Sequence, residues 1–203
     1  MLLDEVMPSY DATRIEHRVI DGPPERVYQA ALHADFMEAF SESRAARALV
    51  TARSAAERIA SSLRPGVEPR AQMTAGAMTL AGLGEQGEYV LLGTDPPREI
   101  AFGMVGRFWG GETRWEVIDA SEFQAFDRPG LARIACNFSL RRYGEARTIV
   151  SYETRTHATD ADARRAFLRY WRVVTPFVGV VLRAQLAVVA REAAGGHAGG
   201  AWC

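Results

Sequence analysis

The sequence predicts an α+β domain: a curved antiparallel β-sheet wrapped around one long C-terminal α-helix, with helices inserted after the first strand. Three observations predict it. The apolar period changes from helix-like to strand-like near residue 88. From there to residue 157, strand-like runs follow one another across short, turn-rich connections, as an antiparallel meander requires. The chain then closes on one long amphipathic run.

The elements follow in order. Ile15–Asp21 reads as a strand, with Ile15, His17 and Val19 alternating imperfectly against Glu16, Arg18 and Ile20. Gly22-Pro23-Pro24 ends it, and Pro suits a first helical turn. Val27, Tyr28, Ala31 and Leu32 then carry helical spacing to about His33. A second helical zone runs from Asp35 towards Leu63, where Pro65-Gly66 stops it, and the stretch to Ala77 reads as loop. Strands are expected over Glu88–Gly93, Arg98–Trp109, Glu116–Phe126, Leu131–Tyr143 and Arg147–His157, with a separate short strand within Thr113–Val117. Asp95-Pro96-Pro97, Gly110-Gly111, Asp127-Arg128-Pro129-Gly130 and Gly144 supply the turns.

Thr159 and Asp162 suggest a capping box. Phe167, Tyr170, Trp171, Val174, Phe177, Val178, Val181, Gln185 and Val188 then keep helical spacing, and the helix reaches Ala194, about 50 Å. Pro176 inside it removes one backbone donor and predicts a kink. Residues 1–194 are expected to form a single domain, and 195–203 a flexible Gly-rich tail.

Composition narrows function. The chain has 203 residues, 48% apolar and 24% charged, with a net charge of −1, so neither disorder nor a polyanionic partner such as nucleic acid is indicated. Every basic residue is Arg. Without Lys there is no Schiff-base chemistry and no Walker A loop. Cys136 and Cys203 form no disulfide framework and no zinc site, which points to a reducing, cytoplasmic setting. The N-terminus does not read as a secretory signal. The longest uncharged apolar stretch, Val173–Leu182, is shorter than the roughly 20 residues of a membrane span. Gly82-Leu83-Gly84-Glu85-Gln86-Gly87 spells G-x-G-x-x-G, but it precedes a strand and opens no helix, so it reads as loop. No cofactor and no metal site is expected; the four His are scattered, and no G-x-S-x-G elbow occurs.

Thr94-Asp95-Pro96-Pro97-Arg98-Glu99-Ile100 leads into Gly103-Met104-Val105-Gly106-Arg107-Phe108-Trp109. Later come Tyr152-Glu153-Thr154-Arg155, Ala163-Arg164-Arg165-Ala166-Phe167 and Tyr170-Trp171. With the order of elements, this text resembles a bacterial branch of the START-like, or SRPBCC (polyketide cyclase-like), helix-grip superfamily, from about Ile15 to Ala194. The resemblance implies a fold and a cavity. It implies no catalytic residue, because that superfamily has no shared catalytic set.

A hydrophobic small molecule (a lipid, polyketide or aromatic metabolite) is therefore the expected partner, held between sheet and helix. The expected lining is Phe102, Met104, Phe108, Trp109, Ile134, Cys136, Phe138, Tyr152, Tyr170 and Trp171. Arg107 and Trp109 could frame its mouth. The alternative is a cofactor-independent cyclase, dehydratase or isomerase. Glu153, Arg155 and His157 alternate on one strand, roughly 6.6–6.8 Å apart, with Arg133 and Asn137 on the neighbouring strand. They fall on the face opposite the apolar set, where a solvated ion-pair ladder is the expected role. A domain with a filled core that serves only as a partner surface is the third reading.

Overall fold

The structure, a computed structural model, describes residues 1–38, 79–82, 89–110 and 113–195. The helical zone expected from Asp35 lies outside them beyond Glu38, as do the loop before Ala77, the Gly-rich motif past Gly82 and the tail past Gly195.

The described elements are α1 (Leu2–Val6), β1 (Ala12–Asp21), α2 (Pro24–His33), β2 (Val90–Asp95), β3 (Glu99–Arg107), β4 (Arg114–Glu116), β5 (Ala132–Tyr143), β6 (Arg147–Ala158) and α3 (Ala161–Gly195). A single 3-10 turn spans Ala120–Glu122. All strand pairs are antiparallel, in the order β1-β6-β5-β3-β2, and β4 shares the β2 edge of β3. A sheet backed by one long closing helix is the α+β, helix-grip arrangement. The β5–β6 hairpin is tight because Gly144 takes φ +69°, a conformation that costs other residues steric strain.

The concave face carries the main core. Ile100, Phe102, Phe138, Leu140, Val150 and Tyr152 point from the sheet towards α2 and α3. Val27, Tyr28 and Ala31 of α2 meet Leu182, Leu186 and Val189 of α3 there. Spacings of three and four residues place these side chains on one face of each helix.

The convex face is buried as well, which the sequence reading did not anticipate. Leu3 and Met7, from α1 and its C-cap, pack with Val105, Phe123, Phe126, Leu131 and Ala135. As a result β3 is buried at every position from Glu99 to Gly106. The short strand expected within Thr113–Val117 is β4, but the longer strand expected over Glu116–Phe126 does not form. Beyond β4, the 3-10 turn folds Phe123 and Phe126 onto this second core, where burial stabilises on the order of 2 kcal/mol per aromatic side chain. A continued strand would alternate these rings away from it.

Two further expectations change. Asp160, not Thr159, caps α3: its Oδ1 accepts from the N–H groups of Asp162 and Ala163, both at 2.8 Å. Thr159 Oγ1 instead donates to the Leu131 carbonyl. On β1, Ile15 and Val19 are exposed, and Arg14 and Glu16 face α3. The helix receives these charges because Gly179 presents no side chain there, and Arg183 donates to Glu16 Oε1 at 2.8 Å.

The α3 helix contains Pro176. By length and composition it is apolar enough to cross a membrane, and 33% of its most apolar window is buried within the fold. Its buried residues include Phe167, Gly179, Leu182, Leu186 and Val189.

Candidate functional site

The concave core does not fill completely. Between the middle of the sheet and α3 lies a hollow of about 110 Å³. One ordered water needs roughly 10–15 Å³ measured in the same way, and an apolar cavity of about 150 Å³ accepts a benzene ring. The hollow, smaller than that reference, is therefore sized for at most one ring.

β3, β5 and β6 supply its floor. Phe102 and Met104 alternate inward from β3, Cys136 and Phe138 from β5, and Tyr152 from β6; Gly103 adds backbone. Phe36, Leu80 and Tyr89 close the side, and Gln185 looks down from α3. Most of the ring pairs are stacked, while Phe102 is tilted 35° to Tyr152. Phe138 stacks on Tyr152 at 4.1 Å and 18°, and Phe36 on Phe138 at 5.5 Å and 22°. Phe102 lies 6.3 Å from Phe138 at 21°.

Polar atoms are few. The Cys136 thiol donates to Thr154 Oγ1 at 3.3 Å. Burial pushes that thiol up to about 11, against hydrogen bonds with Thr154 and Tyr152 that pull it down. Burial also pushes the Tyr152 hydroxyl well above its ordinary value. Both stay protonated at neutral pH. The described lining contains no Asp, Glu, Arg or His. Gln185 is 6% exposed, and its Oε1 is buried with no hydrogen-bond partner among the described residues.

Of the ten expected lining residues, Phe102, Met104, Cys136, Phe138 and Tyr152 border this hollow. Ile134 is on the same face, opposite Met104, but outside the lining. Phe108, Trp109, Tyr170 and Trp171 gather elsewhere, around Phe167 near the N-terminal end of α3. Trp109 and Arg107 border a separate open cleft of about 720 Å³ with Pro129, Asp160 and Asp162, so they do not frame the mouth of the hollow. Phe36, Leu80, Tyr89 and Gln185 were not expected. Gln185 had a signal: it is the polar residue within the apolar spacing of α3.

Glu153, Arg155 and His157 occupy the convex face, away from the hollow, and the first two are not solvated. Arg155 is 7% exposed beneath α1. It donates to Glu153 Oε1 at 2.7 Å, to Asp4 Oδ1 at 2.8 Å, and to the Leu3 and Met7 carbonyls at 3.3 and 3.1 Å. Glu99 holds the other end of α1, accepting from Leu2 N at 2.9 Å and Leu3 N at 3.4 Å. Asn137 joins through Nδ2, 2.5 Å from Glu99 Oε1. His157 stands apart, one-third exposed, with Nδ1 3.8 Å from Asp11 Oδ2; burial and then the Arg133 charge push its pKa down. Arg133 donates to the Phe123 and Gln124 carbonyls. These residues clamp α1 and the 3-10 segment to the sheet. The expected solvated ladder is in fact a buried network.

No group of three or more His, Cys, Asp or Glu residues that could hold a metal occurs among the described residues. No protein-family model matches the chain. No curated protein is similar to it at a significant level. Among solved structures, it is similar to TTHA0849 from Thermus thermophilus, with 11% identity and TM-score 0.37, over 91% of this chain and 99% of that one. It is similar to CV1439 from Chromobacterium violaceum, with 16% identity and TM-score 0.34, over 91% and 96%. It is also similar to CalU16 from Micromonospora echinospora, with 15% identity and TM-score 0.29, over 92% and 88%.

Proposed function

We propose that this chain binds an uncharged, mostly apolar small molecule in the hollow between β3, β5, β6 and α3. One observation carries the reading: a space of about 110 Å³ inside the core, bordered by aromatic rings and by no ionised side chain among the described residues. Well-packed cores leave few voids larger than a water, so a space of this size at the centre of the fold is a binding site by default. The reading agrees with what a START-like resemblance implies, and the free, protonated Cys136 thiol suits a reducing compartment such as the cytoplasm.

The enzymatic alternative needs an acid or base at the substrate. The acid, cation and imidazole that suggested it lie on the other face of the sheet, so no observation favours it.

The test is an NMR titration of the full chain with toluene. Saturable shifts confined to lining residues such as Met104 are expected. Cys136→Leu, which fills the hollow, should weaken toluene at least tenfold. If none of toluene, phenol and 1-naphthol binds saturably, the reading fails. Native mass spectrometry after gentle purification would identify the natural occupant.

A further inference from the structure

The hollow says more about its occupant than that it is apolar. Gln185 is more than nine-tenths buried and borders the space, yet its Oε1 has no partner among the described residues. Leaving a buried amide oxygen unpaired is costly, and most such groups in folded proteins are satisfied. Asn137 Oδ1 is also unpaired, but that side chain is anchored through Nδ2 to Glu99 in the packed network. Gln185 has no such anchor among the described residues, and the space beside it can hold a partner.

Three features specify that partner. Phe36, Phe138 and Tyr152 stack in series, with Phe102 within 21° of Phe138 and tilted 35° to Tyr152, a ring-lined surface on which a flat guest can stack. The volume admits at most one ring. No charged side chain of the described lining could compensate a buried carboxylate or ammonium, so the guest is neutral. A hydroxyl both donates and accepts, so it satisfies the Gln185 amide in either orientation.

We propose that the hollow selects an uncharged, one-ring compound bearing a hydroxyl, of the phenol class, and that Gln185 is the specificity-determining residue that takes this hydroxyl. This rests on the binding reading above, and the probes separate the two.

The full chain is titrated with phenol, toluene, benzoate and 1-naphthol. The comparison is between the native protein and Gln185→Met, with Gln185→Leu as a second variant should the first be poorly folded. Apolar transfer alone favours toluene, so the decisive quantity is the phenol-to-toluene affinity ratio. It should fall about tenfold in the variant, the loss expected for one buried hydrogen bond. Benzoate and 1-naphthol should bind at least tenfold more weakly than phenol. A ratio that changes less than twofold removes Gln185 from recognition while toluene binding keeps the hollow as a site. Benzoate matching phenol overturns neutrality, and 1-naphthol matching phenol overturns the one-ring limit. Failure of all four probes overturns the binding reading itself.

Discussion

The two faces of the sheet bury comparable aromatic side chains and differ in what they leave open. On the convex face, Phe123, Leu3 and Met7 are at most 1% exposed, and the Arg155 guanidinium meets two carboxylates and two carbonyls, while the unpaired Asn137 Oδ1 belongs to a side chain held through its Nδ2. On the concave face, similar rings stack and leave about 110 Å³, with an unpaired amide oxygen beside it. Buried charge with its partners present is architecture, whereas a buried polar atom beside empty space is an invitation to a ligand. Titratable residues alone would have directed attention to the wrong face.

This contrast predicts where substitutions hurt. The largest stability loss belongs to the convex network. Arg155→Met strands Glu153 and the α1 carbonyls in a buried site and should cost about 3 kcal/mol in urea denaturation, while toluene affinity changes less than threefold. Gly103→Ala should cost about 2 kcal/mol. Its Cβ would lie 2.7 Å from Phe123 and 2.9 Å from the Ile134 carbonyl, which is backbone and cannot step aside.

Acid should act next, and on both faces. Burial raises the Glu16 pKa, but hydrogen bonds from Arg14 and Arg183 outweigh this and hold it below 4.5. The hydrogen bond from Arg155 holds Asp4 below 3.8. Both carboxyls are depressed in the folded state. Their stabilisation is therefore fully present above the unfolded values and is lost as pH falls through the folded ones. Thermal midpoints should decline below about pH 4.5, and Glu16→Gln should flatten that decline.

The smallest stability effect belongs to the hollow. Cys136→Leu should shift unfolding by less than about 1.5 kcal/mol while blocking toluene. With its thiol pushed up to about 11, Cys136 should alkylate at least about tenfold more slowly at pH 8 than an ordinary thiol in peptide mapping, its lower thiolate fraction being partly offset by a more nucleophilic thiolate. Labelling at an ordinary rate would mean that the hollow is open to water.

The architecture was legible where local rules decide it. Strands β5 and β6 alternate clearly, Gly144 marks their turn, and α3 keeps its spacing from Phe167 to Val188. The second core was not read, because α1 is only five residues and the path after β4 depends on what Phe123 can reach. A hint was present. Ile100-Ala101-Phe102-Gly103-Met104-Val105 does not alternate, as expected of a strand covered on both faces. The candidate site divided along α3. Inward residues near mid-sheet border the hollow, while Phe108, Trp109, Tyr170 and Trp171, equally apolar in sequence, pack around Phe167. Apolar patterning fixes the face of an element but not the position along it where packing fails to close.

The Glu16 carboxylate, seated against Gly179 and gripped by Arg183, keys the closing helix to the edge strand. A helix sliding by one residue also rotates by about 100°. Such a screw motion would carry Arg183 off its carboxylate and, two positions along, turn the Gln185 amide away from the aromatic floor. An ion pair that touches no guest thereby sets the direction from which any guest is recognised.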